Sequence, residues 1–424
     1  MITEDLVKFL WNYRLFTSVA LRTVSGKSVE IVSPGEANSN AGPDFFNAKV
    51  KLDGVLWAGN VEVHTDSADW ERHGHHRDSS YNNVVLHVVT SYKAAARTLD
   101  NREIETLVVE VDEYLKQRFW QLQYSDSKIP CAPFVVGINA LSVKSWLDSL
   151  AAERLEARIN SVNLLVDQLN GDWEETLYRY IARSLGTSLN ALPFEMLAKA
   201  APLTIVRRHC STLSQAEALL FGQAGLLNDS SSDHYYQQLQ KEYGYLSHKL
   251  SLKAIDGSMW KFARTRPPNF PTVRIAQLAA LAHFEFPLLG RLVNLTDVKQ
   301  LTKILTTPPS VYWRNHYSFI HPSPLRKVGL GKEIVQSVIL NAFIPVLYAF
   351  SKSVGNTTAQ QLCLNALEKL DPEGNTIVRQ WAPLGIVAEN ALDSQALIQL
   401  YKGYCIPKKC LYCRIGASLL SKKM

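Results

Sequence analysis

The strongest local constraint on this chain is Asp53-Gly54, which sits between two strand-like runs, Phe45 to Leu52 and Val55 to Val61. A two-residue hairpin turn of the favoured type needs positive φ at both positions, and Asp-Gly supplies it. Gly42-Pro43-Asp44 leads into the first run and Glu62-Val63-His64 leaves the second. Two carboxylates and an imidazole therefore stand at the open end of one hairpin, a set that can hold a divalent metal.

Side chains alternate along a strand, so register decides whether Asp44 and Glu62 share a face. A two-residue loop pairs Leu52 with Val55 and sets Asp44 opposite Val63, away from Glu62. A three-residue loop sets Asp44 opposite Glu62, with side chains about 5 Å apart. The shorter loop sorts apolar from polar residues better near the turn. A bulge at Gly59 that changes parity midway reconciles the two, and is the expected arrangement.

Glu4 to Leu15 has helical spacing, and Ser28 to Ser33 is a β-branched run ending in Pro34-Gly35. After the hairpin, Asp69 to His76 suits a short helix. Val84 to Val89 reads as a strand buried on both faces, and Ile104 to Val111 as a further strand. With Pro43-Asp44 opening one strand and Glu62-Val63-His64 closing the next, this order resembles the PD-(D/E)XK nuclease superfamily over about the first 125 residues. The resemblance implies an α/β (α+β) restriction-endonuclease-like domain with a mixed sheet. It implies Asp44 and Glu62 as ligands of magnesium or manganese, and His64 in the usual lysine position as the group that orients or activates water. A neutral imidazole can accept a proton near neutral pH.

Four of the eleven histidines, His64, His73, His75 and His76, fall within thirteen positions, among Arg72, Arg77, Asp66, Asp69 and Asp78. They suit phosphate binding or extra metal ligation, or a polar turn capped by Asp66 or Ser67. Glu36, Asn40, His73, His75 and Tyr81 are candidates to line the site. The segments from Asn40 to Phe45, Gly59 to His64 and Tyr81 to Val89, and Tyr404-Cys405 through Gly416, look like an uncharacterised bacterial family known only as a domain of unknown function. That resemblance runs the full length and supplies no activity.

A chain of 424 residues is too long for one compact core. After residue 125 the pattern changes from period two to period 3.6, with helices expected at 141–169, 173–185, 193–200, 203–210, 214–221, 235–246, 273–284, 330–351, 357–370 and 394–401. The expected division is a nuclease-like domain over 1–125 and a mainly α-helical domain over 126–424, joined near Tyr124 to Pro130. With 46% apolar and 20% charged residues the composition is that of a globular protein. No apolar run approaches the roughly 20 residues that span a bilayer, and the N-terminus lacks a basic start, so a cytoplasmic location without membrane association is expected.

The net charge of +6 permits a nucleic-acid partner. Arg264, Arg266 and Arg274 flank Pro267-Pro268-Asn269-Phe270-Pro271, a rigid loop that could set guanidinium groups against phosphates or pair them with acids. Cys405, Cys410 and Cys413 lie within reach of one zinc ion or iron–sulfur cluster. Cys131 could be the fourth ligand, an arrangement that resembles the cluster-stapled branch of helicase-associated nucleases. The other reading of these cysteines is small buried hydrophobes, the role expected of Cys210 and Cys363. No phosphate-binding glycine loop of the G-x-x-x-x-G-K-[ST] kind is present. The expected function is a metal-dependent nuclease on DNA or RNA. The alternative is a non-catalytic nucleic-acid-binding or scaffold protein on a degenerate nuclease-like fold.

Overall fold

The computed structural model describes residues 2–17, 20–38, 40–135, 137–295, 297, 299–320, 322–325 and 329–421. The chain divides into two units. The first comprises Met1–Asp148, Gln380–Ile386 and Leu397–Met424, and the second Ser149–Arg379 and Val387–Ala396. The boundary expected at 125/126 therefore falls inside the first unit. The physical reason is that the C-terminal segment docks back onto it and holds the stretch past 125 there, with Arg414 donating to Ser145 Oγ at 3.2 Å and Tyr404 packing on Trp146. Gln123 Nε2 donates to the Lys408 carbonyl at 2.9 Å, Lys408 Nζ donates to the Gln123 carbonyl at 2.6 Å, and the Tyr412 hydroxyl donates to Asp5 at 2.9 Å.

In the first unit, helix α1 (Glu4–Tyr13) is capped by Thr3, whose hydroxyl accepts from the Leu6 N–H. Glu4 and Asp5 in its first turn suit the positive end of the helix dipole. It buries Leu6, Val7, Phe9, Leu10 and Trp11. A seven-stranded mixed sheet carries β1 (Leu21–Arg22), β2 (Ser28–Ser33), β3 (Glu36–Ala37), β4 (Phe45–Leu52), β5 (Val55–Val63), β6 (Val84–Val89) and β7 (Glu105–Val108). The order is β1-β2-β4-β5-β6-β7, with β3 on β4. Pairing is antiparallel as far as β5 and parallel from β5 through β7. Every residue of β6 is buried, as its unbroken apolar run demands.

The hairpin turns through Asp53 (φ 48°) and Gly54 (φ 80°) and pairs Leu52 with Val55, the two-residue loop. The expected change of parity occurs, but in β4 rather than at Gly59. Phe45 pairs with Val61 and Ala48 with Gly59, so Phe46 and Asn47 together face Asn60, and Asn47 takes φ 54°. Gly59 has a different reason to be glycine. A Cβ there would lie 2.4 Å from Val85 Cγ1 and 2.6 Å from the Asn83 carbonyl, where β6 crosses closest. Between β5 and β6 lie α2 (Asp69–Arg72) and single-turn helices at His75–Arg77 and Ser79–Tyr81.

The second unit is helical around its own core. Its helices at 173–185, 203–209, 213–223, 234–250, 271–284 and 357–369 sit close to the expected spans, and caps explain several starts. Asp172, Asp233 and Asn356 accept from helix N–H groups, and Thr212 with Gln215 forms a capping box. The helix expected from Pro193 begins earlier, at Thr187, and carries that proline inside it. The segment Lys332–Ser353 is long and apolar enough to cross a membrane, contrary to the estimate from the sequence. Yet 67% of its most apolar window is buried. Cys210 and Cys363 are buried in this unit.

Candidate metal centre

The bulge in β4 sets the site. Continuing the Phe45–Val61 pairing by one residue brings Asp44 opposite Glu62 on one face. Each carboxylate then accepts a backbone N–H beside the other. Asp44 N–H donates to Glu62 Oε2 at 3.0 Å, and Val63 N–H donates to Asp44 Oδ2 at 3.1 Å. Lys8 of α1 reaches Asp44 Oδ1 at 2.7 Å and Glu4 at 2.7 Å. Burial, and then the neighbouring Glu62, push the Asp44 carboxyl up to about 7 against the pull of Lys8. For Lys8, burial opposes the charge, but hydrogen bonds to Asp44 and Glu4 hold its pKa well above the ordinary lysine value.

Glu62 and His64 occupy alternate positions and so share a face. The parallel neighbour β6 sets His87 beside Glu62. His64 is 1% exposed, and its Nδ1 lies 2.9 Å from His87 Nε2 while its Nε2 lies 3.2 Å from His73 Nδ1. Burial, then His87, His75 and His73, push His64 down to about 2, and burial followed by His75 pushes His87 down to about 3. Both rings are therefore neutral at ordinary pH.

The α2 segment closes over this face. Trp70 is fully buried and donates from its indole N–H to the Arg97 carbonyl at 2.8 Å, anchoring the segment. His75 stacks on Tyr81 with ring centroids 3.9 Å apart. One ligand atom each from His64, His73 and His75 gather within 4.8 Å of one another. Glu62 Oε1 stands 3.2 Å from His75 Nε2 and 3.6 Å from His64 Nε2. His75 Nε2 is nevertheless buried without a hydrogen-bond partner, because the carboxylate is out of line with it. A buried imidazole nitrogen without a partner, facing a carboxylate and two more imidazoles, is the donor set a metal ion would satisfy. His73 is exposed and opens the group to solvent.

The structure thus brings together Asp44, Glu62, His64, His73, His75 and Tyr81. His64, expected in the usual lysine position, turns one ring nitrogen to His87 and the other to His73. Three imidazoles and one carboxylate make a donor set richer in nitrogen than the oxygen donors that magnesium and manganese favour. Glu36 stays exposed on β3, and the exposed Asn40 donates its N–H to Asn38 Oδ1 in the loop before Asp44, so neither joins the cluster. The sequence reading passed over Lys8 and His87. A lone polar residue inside Val84-Val85-Leu86-His87-Val88-Val89 was the available signal for His87.

The arginines separate. Arg264 and Arg266 are exposed, whereas Arg274 is 3% exposed and donates to Asn269 Oδ1 and to Gln277 Oε1 at 2.7 Å. Arg274 is therefore withdrawn from any phosphate, and its guanidinium ties the proline loop to the helix behind it. Cys131, Cys405, Cys410 and Cys413 are all buried in the first unit.

No curated protein and no solved structure matches the chain. A family described as protein of unknown function (DUF2851) matches residues 4–376 of the 424, and the chain belongs to that family.

Proposed function

We propose that the first unit is a metal-dependent phosphodiesterase acting on DNA or RNA, with a restriction-endonuclease-like core. The reading is carried by the meeting of Asp44 and Glu62 at the hairpin's open end, beside the three histidines. The order of α1, the antiparallel strands β2, β4 and β5, the short α2 and the parallel β6 supports it. In this reading His64, His73, His75 and Glu62 hold the metal. Once bound, a metal here would polarise a phosphoryl oxygen and acidify a water.

The chain's own groups supply the rest. His87 fixes the His64 ring from behind, so that Nε2 faces the ligand group. Asp44 ties the Lys8 ammonium beside the carboxylate pair, where a cation offsets phosphate charge. The exposed His73 and Arg72 border the opening. In the second unit, the exposed Arg264 and Arg266 suit backbone contact, which positions nucleic acid without reading its sequence.

The test is cleavage of plasmid, linear duplex, single-stranded DNA and RNA by the full chain with zinc, manganese or magnesium. Cutting by the wild type, abolished in His75→Ala and Glu62→Gln, is expected. A wild type that binds metal yet cuts none of these substrates with any of the three ions would sink the hydrolase reading in favour of a scaffold.

A further inference from the structure

Four of the six cysteines converge in the first unit, although Cys131 stands far from Cys405, Cys410 and Cys413 in the sequence. Cys131 begins the turn before Ala132–Phe134, and its carbonyl accepts from the Phe134 N–H. Cys405 ends a π-helical segment, Cys410 opens a single turn, and Cys413 precedes the helix Arg414–Ser421. All four side chains are buried, between 6% and 8% exposed, and none is in a disulfide.

The local backbone is built for this convergence. A Cβ on Gly416 would lie 2.2 Å from the Cys410 carbonyl, so only glycine lets the last helix close onto that turn. Trp146 packs against Tyr404 with centroids 5.3 Å apart and carries the Arg414 guanidinium over its ring, 5.0 Å from the centroid. Its buried indole N–H is turned toward the Cys413 sulfur and finds no oxygen or nitrogen partner. The backbone N–H groups of Ile415 and Gly416 also point at the Cys413 sulfur. Donors aimed at sulfur favour a thiolate over a thiol, whose sulfur accepts only weakly.

We infer that Cys131, Cys405, Cys410 and Cys413 are the ligands of an iron–sulfur cluster that fastens the C-terminal segment to the N-terminal unit. Each of the six pairs among the four thiols interacts electrostatically. Spacing chooses the metal. A zinc tetrathiolate with Zn–S near 2.3 Å has sulfurs roughly 3.8 Å apart. Among the described residues the three histidines gather their ligand atoms within 4.8 Å of one another, whereas no three of these sulfurs do. A cluster, in which each cysteine binds a different corner or edge of an iron–sulfide core, spans that larger gap. The inference does not depend on the chemistry proposed at the histidines.

The test is the iron, acid-labile sulfide and zinc content of the full chain purified without oxygen, together with its visible absorbance. Iron and sulfide in equal amounts, with a brown colour, are expected. Cys131→Ser and Cys410→Ser should lose most of the iron, while Cys210→Ser and Cys363→Ser keep it. If the first two variants fail to fold, the wild-type content still decides. Wild type with zinc and no sulfide, or with no metal after anaerobic reconstitution with ferric iron, thiol reductant and sulfide, would overturn the cluster.

Discussion

Asp44 and Glu62 hold each other through the backbone. The Asp44 N–H donates to Glu62, and the Val63 N–H next to Glu62 donates to Asp44. Two neighbouring carboxylates repel, and these four groups let them stay side by side at the hairpin's open end. Their separation from Lys8 and from the histidines then divides the pair. Asp44 faces the cation, whereas Glu62 faces the imidazoles.

Asp44→Asn should separate structure from chemistry. Asparagine keeps an oxygen to accept the Val63 N–H but loses the charge that holds Lys8. Metal content should persist and stability should change by about 1 kcal/mol or less, while cleavage falls about 100-fold. Metal analysis and a cleavage time course of the same preparation check this. Loss of metal in Asp44→Asn would make Asp44 a ligand.

His87→Phe should weaken the metal site without touching a ligand. His87 orients the His64 ring, and removing such a partner costs roughly 10- to 100-fold in metal affinity. Phenylalanine suits the surrounding apolar strand, so folding should survive. Titration calorimetry with zinc or cobalt reads the difference.

Much of this was legible in the sequence because it is local. Asp53-Gly54 fixed the turn, and the unbroken run 84–89 announced a strand covered on both faces. The bulge was foreseeable from the conflict between turn and carboxylates, but its place was not. Gly59 resembles a bulge residue in sequence, and only the approach of Val85, some 26 positions later, shows that it is a point of close crossing. Lys8 and His87 escaped for the same reason, since each reaches the site through packing of distant elements. Arg274 looked like its exposed neighbours because nothing in its spacing reveals that Asn269 and Gln277 enclose it.

The histidines predict acid sensitivity of the metal-free first unit. His64 and His87 are held below their ordinary value by burial, to about 2 and about 3. An unfolded histidine binds a proton below about 6.5, whereas these do not. Their neutral burial is therefore compatible with full stability above pH 6.5, and stability is lost as pH falls from there toward 3. Each contributes a slope of about 1.4 kcal/mol per pH unit in that window. Denaturant unfolding from pH 7.5 to 4 should show a shallower slope in His87→Phe than in wild type. Equal slopes would refute the assignment.

Arg274→Gln should destabilise the second unit by about 2–3 kcal/mol, because it breaks buried hydrogen bonds to Asn269 and Gln277. Arg264→Gln and Arg266→Gln should leave stability within about 0.5 kcal/mol. If the exposed pair contacts nucleic acid, those two variants should lower affinity and flatten its salt dependence. Thermal unfolding and a salt series of binding measurements distinguish the two roles.

Gly59→Ala tests the link between strand crossing and site. The added Cβ meets Val85 Cγ1 and the Asn83 carbonyl, which accepts from the Asn60 N–H at 2.9 Å. Relief requires β5 and β6 to part, at a cost of about 1–3 kcal/mol. Because Glu62 and His64 follow on β5 while His87 lies on β6, parting the strands should also weaken metal binding. Gly54→Ala is the control. Its φ of 80° makes alanine costly by about 1 kcal/mol, yet its Cβ meets nothing within 4 Å. Hydrogen exchange of the β5 and β6 amides, paired with metal titration, should show Gly59→Ala losing both protection and affinity and Gly54→Ala retaining the affinity. Unchanged affinity in Gly59→Ala would mean that the metal ligands do not depend on the β5–β6 spacing.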